Sequence, residues 1–460
     1  MNQEKINPAH IFTAAFILSC ISLYNGYPLV YSDTGTYIYS GFEKVIPNDR
    51  PIFYGLFIKL FSFKTSLWFT VLIQNLITSL ALFECFKLLP VRQNHKNFII
   101  STIALTLITP IGWYSNQIMP DFFAPVIALF TFVLLFKPNI PNWKFIAYSV
   151  IIIYGTMVHL SHLLLATGLA AFILLLPILL KVFKLNNILP FTFFKRSILA
   201  GVLLLPWLTV PFFNYLIESE FQYSKAGHVF MVAHLNDKGL LKKILDEQCH
   251  TPEFEGNKLC EQKDQLPTDI NGFIWAGDFF ENTGGWENSK ADYNTVVKKS
   301  VTTPKYLLIN AVKSFQYAGV QLLFVNVGEG LTAYNDGSAP YGQIAWHFHS
   351  ELNNYLNSKQ NKWDGSRLNF ELLTPAFIVA LVLAACFFIA VKPHNPKRYI
   401  TVLSFILLCV LLNSMATAML TSPYERYQSR MAWLPLFLAI PMILDRAESF
   451  LYKLKFKSSN

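Results

Sequence analysis

Long apolar runs recur along this chain and limit what it can fold into more than any other feature. Each run holds roughly 17–25 residues, the length that an α-helix needs to cross about 30 Å of hydrocarbon. Of the 460 residues, 53% are hydrophobic and only 14% are charged, whereas soluble domains carry about 25% charged residues. The strands of a membrane β-barrel would instead alternate apolar and polar residues over about ten positions. The sequence therefore predicts an all-α polytopic membrane protein.

The apolar runs predict about ten transmembrane helices. The first run, Ile11 to Val30, lacks a small-residue cleavage site, so we interpret it as a retained helix and not as a signal peptide. The ten predicted spans lie at about residues 9–30, 66–89, 98–113, 118–136, 144–159, 161–180, 197–217, 371–391, 399–420 and 431–450.

The distribution of basic residues predicts which side of the membrane each loop occupies. If the N-terminus is cytosolic, Lys and Arg are frequent in the inner segments and sparse in the short outer ones, as the positive-inside rule requires. The net charge of +9 therefore belongs to the cytosolic rim and does not indicate nucleic-acid binding. Together with the lack of an N-glycosylation sequon on the outer face, this rim favours a bacterial inner membrane.

The predicted spans divide the chain into three parts. Residues 1–217 form an N-terminal transmembrane module, 218–370 an extracytoplasmic domain of mixed secondary structure, and 371–460 the C-terminal transmembrane helices with a basic cytosolic tail. Cys249 and Cys260 are the only cysteines in the middle part. Their short separation and an oxidising compartment favour a disulfide, with two unpaired thiols as the alternative.

Ionisable residues near the predicted outer ends of the spans are candidates for a functional site. Such residues are costly at membrane depth, and they commonly mark function. On the predicted topology they come from segments far apart in sequence but lie on the same side of the membrane. They are Asp33, Asp121, His159, His162, Arg426 and Arg430.

Each of these candidates also has a simpler interpretation. Asp33 could cap a helix at 34–46, and Asp121 could be an acid favoured by the dipole at the first turn of a helix. The histidine pair could form ordinary hydrogen bonds at the interface, and the arginine pair could anchor lipid headgroups. Glu84, near the inner end of the second span, is expected to be a solvated or capping residue.

The segment after Asp33 predicts two short helices lying on the membrane surface, at 34–46 and 51–63. The second reads "PIFYGLFIKLFSF", which is too short to span the bilayer and is rich in aromatic residues, as interfacial segments are. The chain thus leaves the membrane, presents an acid, and runs along the surface before it enters the membrane again.

This arrangement resembles the GT-C superfamily of membrane glycosyltransferases, and most closely the protein mannosyltransferases and the bacterial aminoarabinose transferases of lipid A. In that family an Asp near the end of the first helix is followed by an aromatic, Pro-led juxtamembrane motif, which Asp33 and "DRPIFYGLF" (49–57) resemble. "MPDFFAPVIALF" (119–130) resembles the family's later outer acid, and "ERYQSRMAWLPLFLAI" (425–440) resembles its last outer loop. The resemblance covers 1–215 and 371–450.

The resemblance implies an inverting glycosyltransferase. It would move a sugar from a polyprenyl-phosphate donor to a glycan, lipid or protein acceptor on the periplasmic face. Asp33 would be the catalytic base, and Asp121 would position the acceptor or a metal. The resemblance also implies supporting roles: donor-phosphate binding by Arg426 and Arg430 with help from His159 or His162, and an acceptor or lipid groove lined by Tyr37, Arg50 and Tyr54. Some family members use a divalent metal; no other cofactor is expected.

Three other classes of function stay open. A transporter of lipid-linked glycans would place polar residues along a path through the membrane centre, whereas the middles of the predicted spans are nearly free of charge. An O-antigen polymerase or ligase also uses Arg and His at the outer face, but the early Asp followed by surface helices fits such an enzyme less well. A membrane scaffold without catalytic activity is the third alternative.

Overall fold

The computed structural model describes residues 7–182, 193–362, 368, 370–393 and 395–457. Within these ranges all regular structure is helical, and the only β-type pairing is an isolated bridge between Leu29 and Gln117. The predicted all-α class is therefore confirmed for the described residues. The segment 218–370 was predicted to be mixed, whereas its described residues form short helices, and its Gly- and Asn-rich stretches form the turns between them. Gly277 and Gly284, with φ of 88° and 114°, make two of these turns.

The helices fall into three groups along the described chain. The first group comprises α1 (His10–Asn25), α2 (Thr34–Glu43), α3 (Phe53–Phe61), α4 (Leu67–Phe86), α5 (His95–Ile108), α6 (Ile111–Ser115), α7 (Phe123–Phe136), α8 (Asn142–Met157), α9 (Leu160–Val182), α10 (Phe193–Leu204) and α11 (Pro206–Glu218). The second comprises α12 (Gly227–Asp237), α13 (Leu240–Gln248), α14 (Lys258–Glu261), α15 (Ile270–Ile274), α16 (Phe279–Asn282), α17 (Gly285–Asn288), α18 (Lys290–Thr302), α19 (Pro304–Gln321), α20 (Ala339–His347), α21 (Leu352–Leu356) and α22 (Lys359–Lys362). The third comprises α23 (Phe370–Ala390), α24 (Pro396–Ala418), α25 (Glu425–Ala432) and α26 (Leu434–Lys457).

Five helical stretches in the described chain are long and apolar enough to cross a membrane: Leu67–Phe86, Leu160–Ile178, Phe193–Glu218, Phe370–Ala390 and Pro396–Ala418. Three other predicted spans coincide with shorter apolar helices, His10–Asn25, His95–Ile108 and Pro120–Phe136. The first of these, α1, has 16 residues, which at 1.5 Å per residue reach only about 24 Å. The fold is thus compatible with a multi-pass helical membrane protein, and ten complete spans stay a prediction.

Helix α7 is the centre of the helical bundle. Every residue from Phe123 to Leu135 is buried, and they are apolar except for Thr131. A helix that is apolar on all sides is stable only when other helices surround it. A 3-10 turn, Pro120–Phe122, leads directly into α7, and Lys137 follows its last residue. Asp121 and Lys137 therefore mark opposite ends of the bundle.

Helices α2 and α3 form where the two short helices after Asp33 were predicted, and both are shorter than predicted. They lie close together because Gly41 and Gly55 face each other, and a Cβ on Gly41 would overlap the backbone of Gly55. The rings of Tyr37 and Tyr54 meet edge to face beside this contact, 4.9 Å apart. This packing holds the connection between the helices, which carries Arg50, against the start of α2.

The segment 218–370 packs in two different ways. Residues of α12 to α19, including Val229 and Tyr293, form a hydrophobic core of their own, and a disulfide joins Cys249 to Cys260 beside it. Residues from α20 onward instead pack into the core of the bundle. There Glu351 accepts hydrogen bonds from the Tyr27 hydroxyl at 2.8 Å and from the backbone N–H of Leu67 at 3.2 Å, which ties this segment to α1 and α4.

Candidate functional site

Asp33 lies between α1 and α2 and is paired with two arginines that are distant in sequence. Its Oδ2 is 3.0 Å from Nη1 of Arg50 and 3.4 Å from Nη1 of Arg426. Its side chain makes no capping hydrogen bond to α2, so the capping interpretation is wrong. Burial raises the pKa of Asp33, but the two guanidinium groups outweigh burial and hold the pKa below its ordinary value. Asp33 is therefore an ionised carboxylate at neutral pH, and it keeps 24% of its side-chain surface exposed.

Aromatic rings support both arginines. The guanidinium of Arg50 lies 5.0 Å from the ring centroid of Tyr37, and that of Arg426 lies 4.5 Å from the ring of Tyr31. Such cation–π contacts favour one orientation of each guanidinium. Tyr37 and Tyr54 are 1% and 0% exposed. Of the three residues assigned to a groove, only Arg50 therefore reaches the surface in this structure.

Asp121 and Arg430 form a second ion pair, and both side chains are only 1% exposed. Nη1 of Arg430 donates to Oδ1 of Asp121 at 2.9 Å. Nη2 of Arg430 donates to Ser161 Oγ at 3.0 Å and to Asn413 Oδ1 at 3.1 Å. The pair thus joins the starts of α7 and α9 to α24 and α25. A buried ion pair of this kind is tolerated because hydrogen bonds satisfy most of its polar atoms.

Hydrogen bonds around the two histidines define their neutral tautomers. Ser161 Oγ accepts from Arg430, so its own proton can be donated to Nδ1 of His159, 2.8 Å away. The backbone N–H of Ser161 also donates to this Nδ1, at 3.2 Å. Because Nδ1 is the acceptor, the ring proton of neutral His159 resides on Nε2. In His162 the nitrogen Nδ1 donates to the carbonyl of Gly155 at 2.7 Å, which leaves Nε2 as the acceptor.

Tyr427 connects the two ion pairs. Its ring lies 4.9 Å from the guanidinium of Arg426 and 5.3 Å from that of Arg430. The ring of His159 lies 6.4 Å from the ring of Tyr427 and 5.3 Å from that of His162. The structure thus brings all six polar residues singled out from the sequence into one cluster.

Several residues of this cluster were missed by sequence reasoning. Ser161 stands between the two histidines in "HLSH", and Asn413 is an amide within an apolar helix, so both carried a signal. Glu329 carried none, because it comes from the long hydrophilic segment. Its Oε2 accepts the backbone N–H of Arg426 at 2.8 Å. Burial raises the pKa of Glu329 above its ordinary value.

No side-chain cluster suited to a metal ion is found in the described ranges. They contain no group of three or more His, Cys, Asp and Glu residues that could hold one. Asp33 and Asp121 each pair with arginine instead. No metal ligands are therefore assigned.

Comparison of the chain with protein-family models, curated proteins and solved structures finds no match. Its class is therefore defined by its own features. It is an α-helical protein with helices long enough to cross a membrane, and it carries a cluster of acids, arginines and histidines at one end of its helical bundle.

Proposed function

We propose that this protein is an inverting glycosyltransferase that uses a polyprenyl-phosphate sugar as donor. The observation that supports this best is the environment of Asp33, a partly exposed, ionised carboxylate that lies within 3.4 Å of two arginines. Such a transfer needs a base beside groups that stabilise a departing phosphate. In this proposal Asp33 would be the base, and the two arginines would stabilise the phosphate.

In the proposed reaction an acceptor hydroxyl or amine attacks the anomeric carbon of the sugar and forms the new glycosidic bond. Asp33 accepts the proton that the attacking atom loses. The bond between the anomeric carbon and the phosphate oxygen breaks on the opposite face, and the polyprenyl phosphate leaves with the electron pair. One displacement from the opposite face inverts the anomeric configuration.

We assign the donor phosphate to Arg50, Arg426 and the Nε2–H of His159. Arg426 and Arg50 are 9% and 14% exposed, and both already bind an anionic group, Asp33. A phosphate bound between them would compete for these guanidinium groups and free the carboxylate to act as a base. Arginine suits this role because its planar fork binds phosphate in a bidentate manner.

Arg430 and Asp121 are better suited to positioning than to direct contact with substrate. Both side chains are only 1% exposed, so substrate does not reach them directly. In this proposal the pair aligns α25, and hence Arg426, with the loop that carries Asp33. This role differs from the phosphate-binding role that the family resemblance implies for Arg430.

We place this cluster on the periplasmic face of a bacterial inner membrane, with ten spans and with the polyprenyl tail in the bilayer. The position of basic residues supports this orientation, since Lys87, Lys137 and Lys144 lie at the opposite ends of α4, α7 and α8. A glycan, a lipid or a protein would be the acceptor.

The test is a transfer assay with the full chain in nanodiscs and a panel of polyprenyl-phosphate sugars. We expect Asp33→Asn to lower turnover by about 10²- to 10⁴-fold, the usual contribution of a general base. Glu43→Gln, at an exposed acid on α2, is the matched control and should keep wild-type turnover. Wild-type turnover by Asp33→Asn would remove Asp33 from the mechanism.

Two further measurements separate the alternatives. Turnover only with polyprenyl-diphosphate glycans would identify a polymerase or ligase. Movement of intact lipid-linked glycan across liposomes, without cleavage of the donor, would identify a transporter.

A further inference from the structure

A second charged cluster lies at the far end of the bundle, around Glu84 near the C-terminal end of α4. The Glu84 side chain is 1% exposed and is surrounded by three lysines. Lys137 Nζ donates to its Oε2 at 2.5 Å, and Lys144 Nζ donates to its Oε1 at 2.8 Å. Lys87 Nζ lies 3.6 Å from Oε1. The expectation that Glu84 is solvated or capping is therefore wrong, because three helix ends meet over it.

This cluster has more positive charge than one carboxylate can balance. Three ammonium groups face a single Glu84, and Arg398 adds a fourth cation by donating to the carbonyls of Lys87 and Leu88 at 2.9 and 2.7 Å. Like charges this close raise each other's free energy, and a further anion would relieve the repulsion.

The lysines are also able to bind such an anion. Their side chains are 31%, 21% and 23% exposed for Lys87, Lys137 and Lys144. An ammonium group has three N–H donors. Lys137 and Lys144 each direct one of them to Glu84, which leaves two N–H donors on each for another acceptor.

The position of the cluster identifies the source of the anion. It lies at the ends of α4 and α7 that are opposite to Asp33, and α4 is long and apolar enough to cross a membrane. Trp143, next to Lys144, is 66% exposed. Its ring lies 5.4 Å from the Lys144 ammonium. Exposed Trp beside basic residues is typical of the depth of lipid headgroups, and basic sites between helix ends bind anionic headgroups there.

We propose that Lys87, Lys137 and Lys144, which surround the buried Glu84, form a binding site for the phosphate of an anionic phospholipid. This site is independent of the proposed transferase reaction. It would favour anionic over zwitterionic lipid around this end of the bundle.

The test compares binding of phosphatidylglycerol and phosphatidylcholine to the purified full chain in neutral detergent, followed by native mass spectrometry and by thermal unfolding. The double substitution Lys137→Gln/Lys144→Gln removes two ammonium groups. The control, Lys96→Gln/Lys392→Gln, removes the same charge from exposed lysines at the same end. Each lysine near an anionic lipid contributes about fivefold to binding, so we expect about thirtyfold weaker phosphatidylglycerol binding in the first variant and little change in the control.

Glu84→Gln separates this proposal from a purely structural role of the lysines. It leaves the ammonium groups in place without their carboxylate, so phosphatidylglycerol should bind at least as tightly as to wild type. Equal lipid binding by wild type, Lys137→Gln/Lys144→Gln and the control would overturn the proposal. Equal thermal protection by inorganic phosphate and by phosphatidylglycerol would also overturn it, because the site would then take a free anion.

Discussion

Asp121 and Glu84 are buried to the same extent, each 1% exposed, yet the protein neutralises them in opposite ways. Asp121 lies at one end of α7 and pairs with the single guanidinium of Arg430. Glu84 lies near the other end, beside Lys137, and is surrounded by three ammonium groups. In the first arrangement the two opposite charges balance, and both side chains are shielded from solvent. The second has excess positive charge and partly exposed cations.

The two arrangements suit different tasks. A planar guanidinium with fixed donors holds several helices in one geometry, which a site for chemistry requires. Lysines are flexible point charges, and they suit a surface that binds headgroups of variable position. The comparison predicts that the two ends of the bundle respond differently to the loss of one charge.

The largest loss of stability is expected at the Asp121–Arg430 ion pair. Asp121→Asn would leave the Arg430 guanidinium buried without its counter-ion, which typically costs about 3–5 kcal/mol. Thermal unfolding of the full chain in detergent would measure this loss. The double variant Asp121→Leu/Arg430→Met removes both charges and should recover much of the stability. If Asp121→Asn were as stable as wild type, the Arg430 guanidinium would have to be in contact with water or with another counter-ion.

A smaller loss of stability is expected at the cluster of Glu84 and its three lysines. Glu84→Gln should cost about 1 kcal/mol, as for a partly exposed ion pair, because the lysines can turn toward water and headgroups. The same thermal assay, run beside Asp121→Asn, gives a direct comparison. A loss as large as that of Asp121→Asn would mean that the lysines are as confined as Arg430.

The next prediction concerns the hydrogen bonds of Ser161. Ser161→Ala removes the hydroxyl between Arg430 and His159 and should cost about 1 kcal/mol, the usual net contribution of one hydrogen bond. The backbone N–H of residue 161 still donates to Nδ1 of His159 in this variant, so the Nε2–H tautomer should persist, which ¹⁵N NMR of labelled histidine detects. His162 is the internal control, because its Nδ1 donates to Gly155 independently of Ser161. A His159 ring with its proton on Nδ1, in wild type or in Ser161→Ala, would contradict the tautomer assignment.

The smallest effect is a pH dependence from Asp33. Its pKa in the folded protein lies below the ordinary value of 3.8, so the unfolded chain takes up the proton first as the pH falls. The stabilisation by Asp33 is therefore complete above about pH 4 and is lost as the pH drops through the folded pKa. The stability difference between wild type and Asp33→Asn should shrink below about pH 4. A difference that stays constant there would show that the arginines do not hold this carboxylate.

The chain's local patterns predicted much of the fold. Apolar runs predicted helices long enough to cross a membrane, and the segment after Asp33 predicted two short helices, although their ends were placed too far out. The predicted outer positions also grouped Asp33, Asp121 and the two arginines on one side, where the structure brings them together. These features depend on hydropathy and helix length, which are properties of neighbouring residues.

What the pattern did not reveal was which charged groups pair and how deeply they are buried. Arg430 was expected to face a lipid phosphate, but it lies 309 positions along the chain from the Asp121 that it contacts, and it is closed off by Ser161 and Asn413. Glu84 was expected to be solvated, but α7 and α8 bring Lys137 and Lys144 over it.

The sequence by itself determined that the chain forms helices, several of them long and apolar enough to cross a membrane, because helix length and hydropathy are local properties of a chain. It also determined which polar residues lie near each end of the helices. Only the tertiary structure decided that Asp33 stays partly exposed beside two arginines, whereas Asp121 is buried against Arg430. That distinction depends on how distant helices pack, since the exposure of a charge is set by the side chains that surround it and not by its neighbours in sequence.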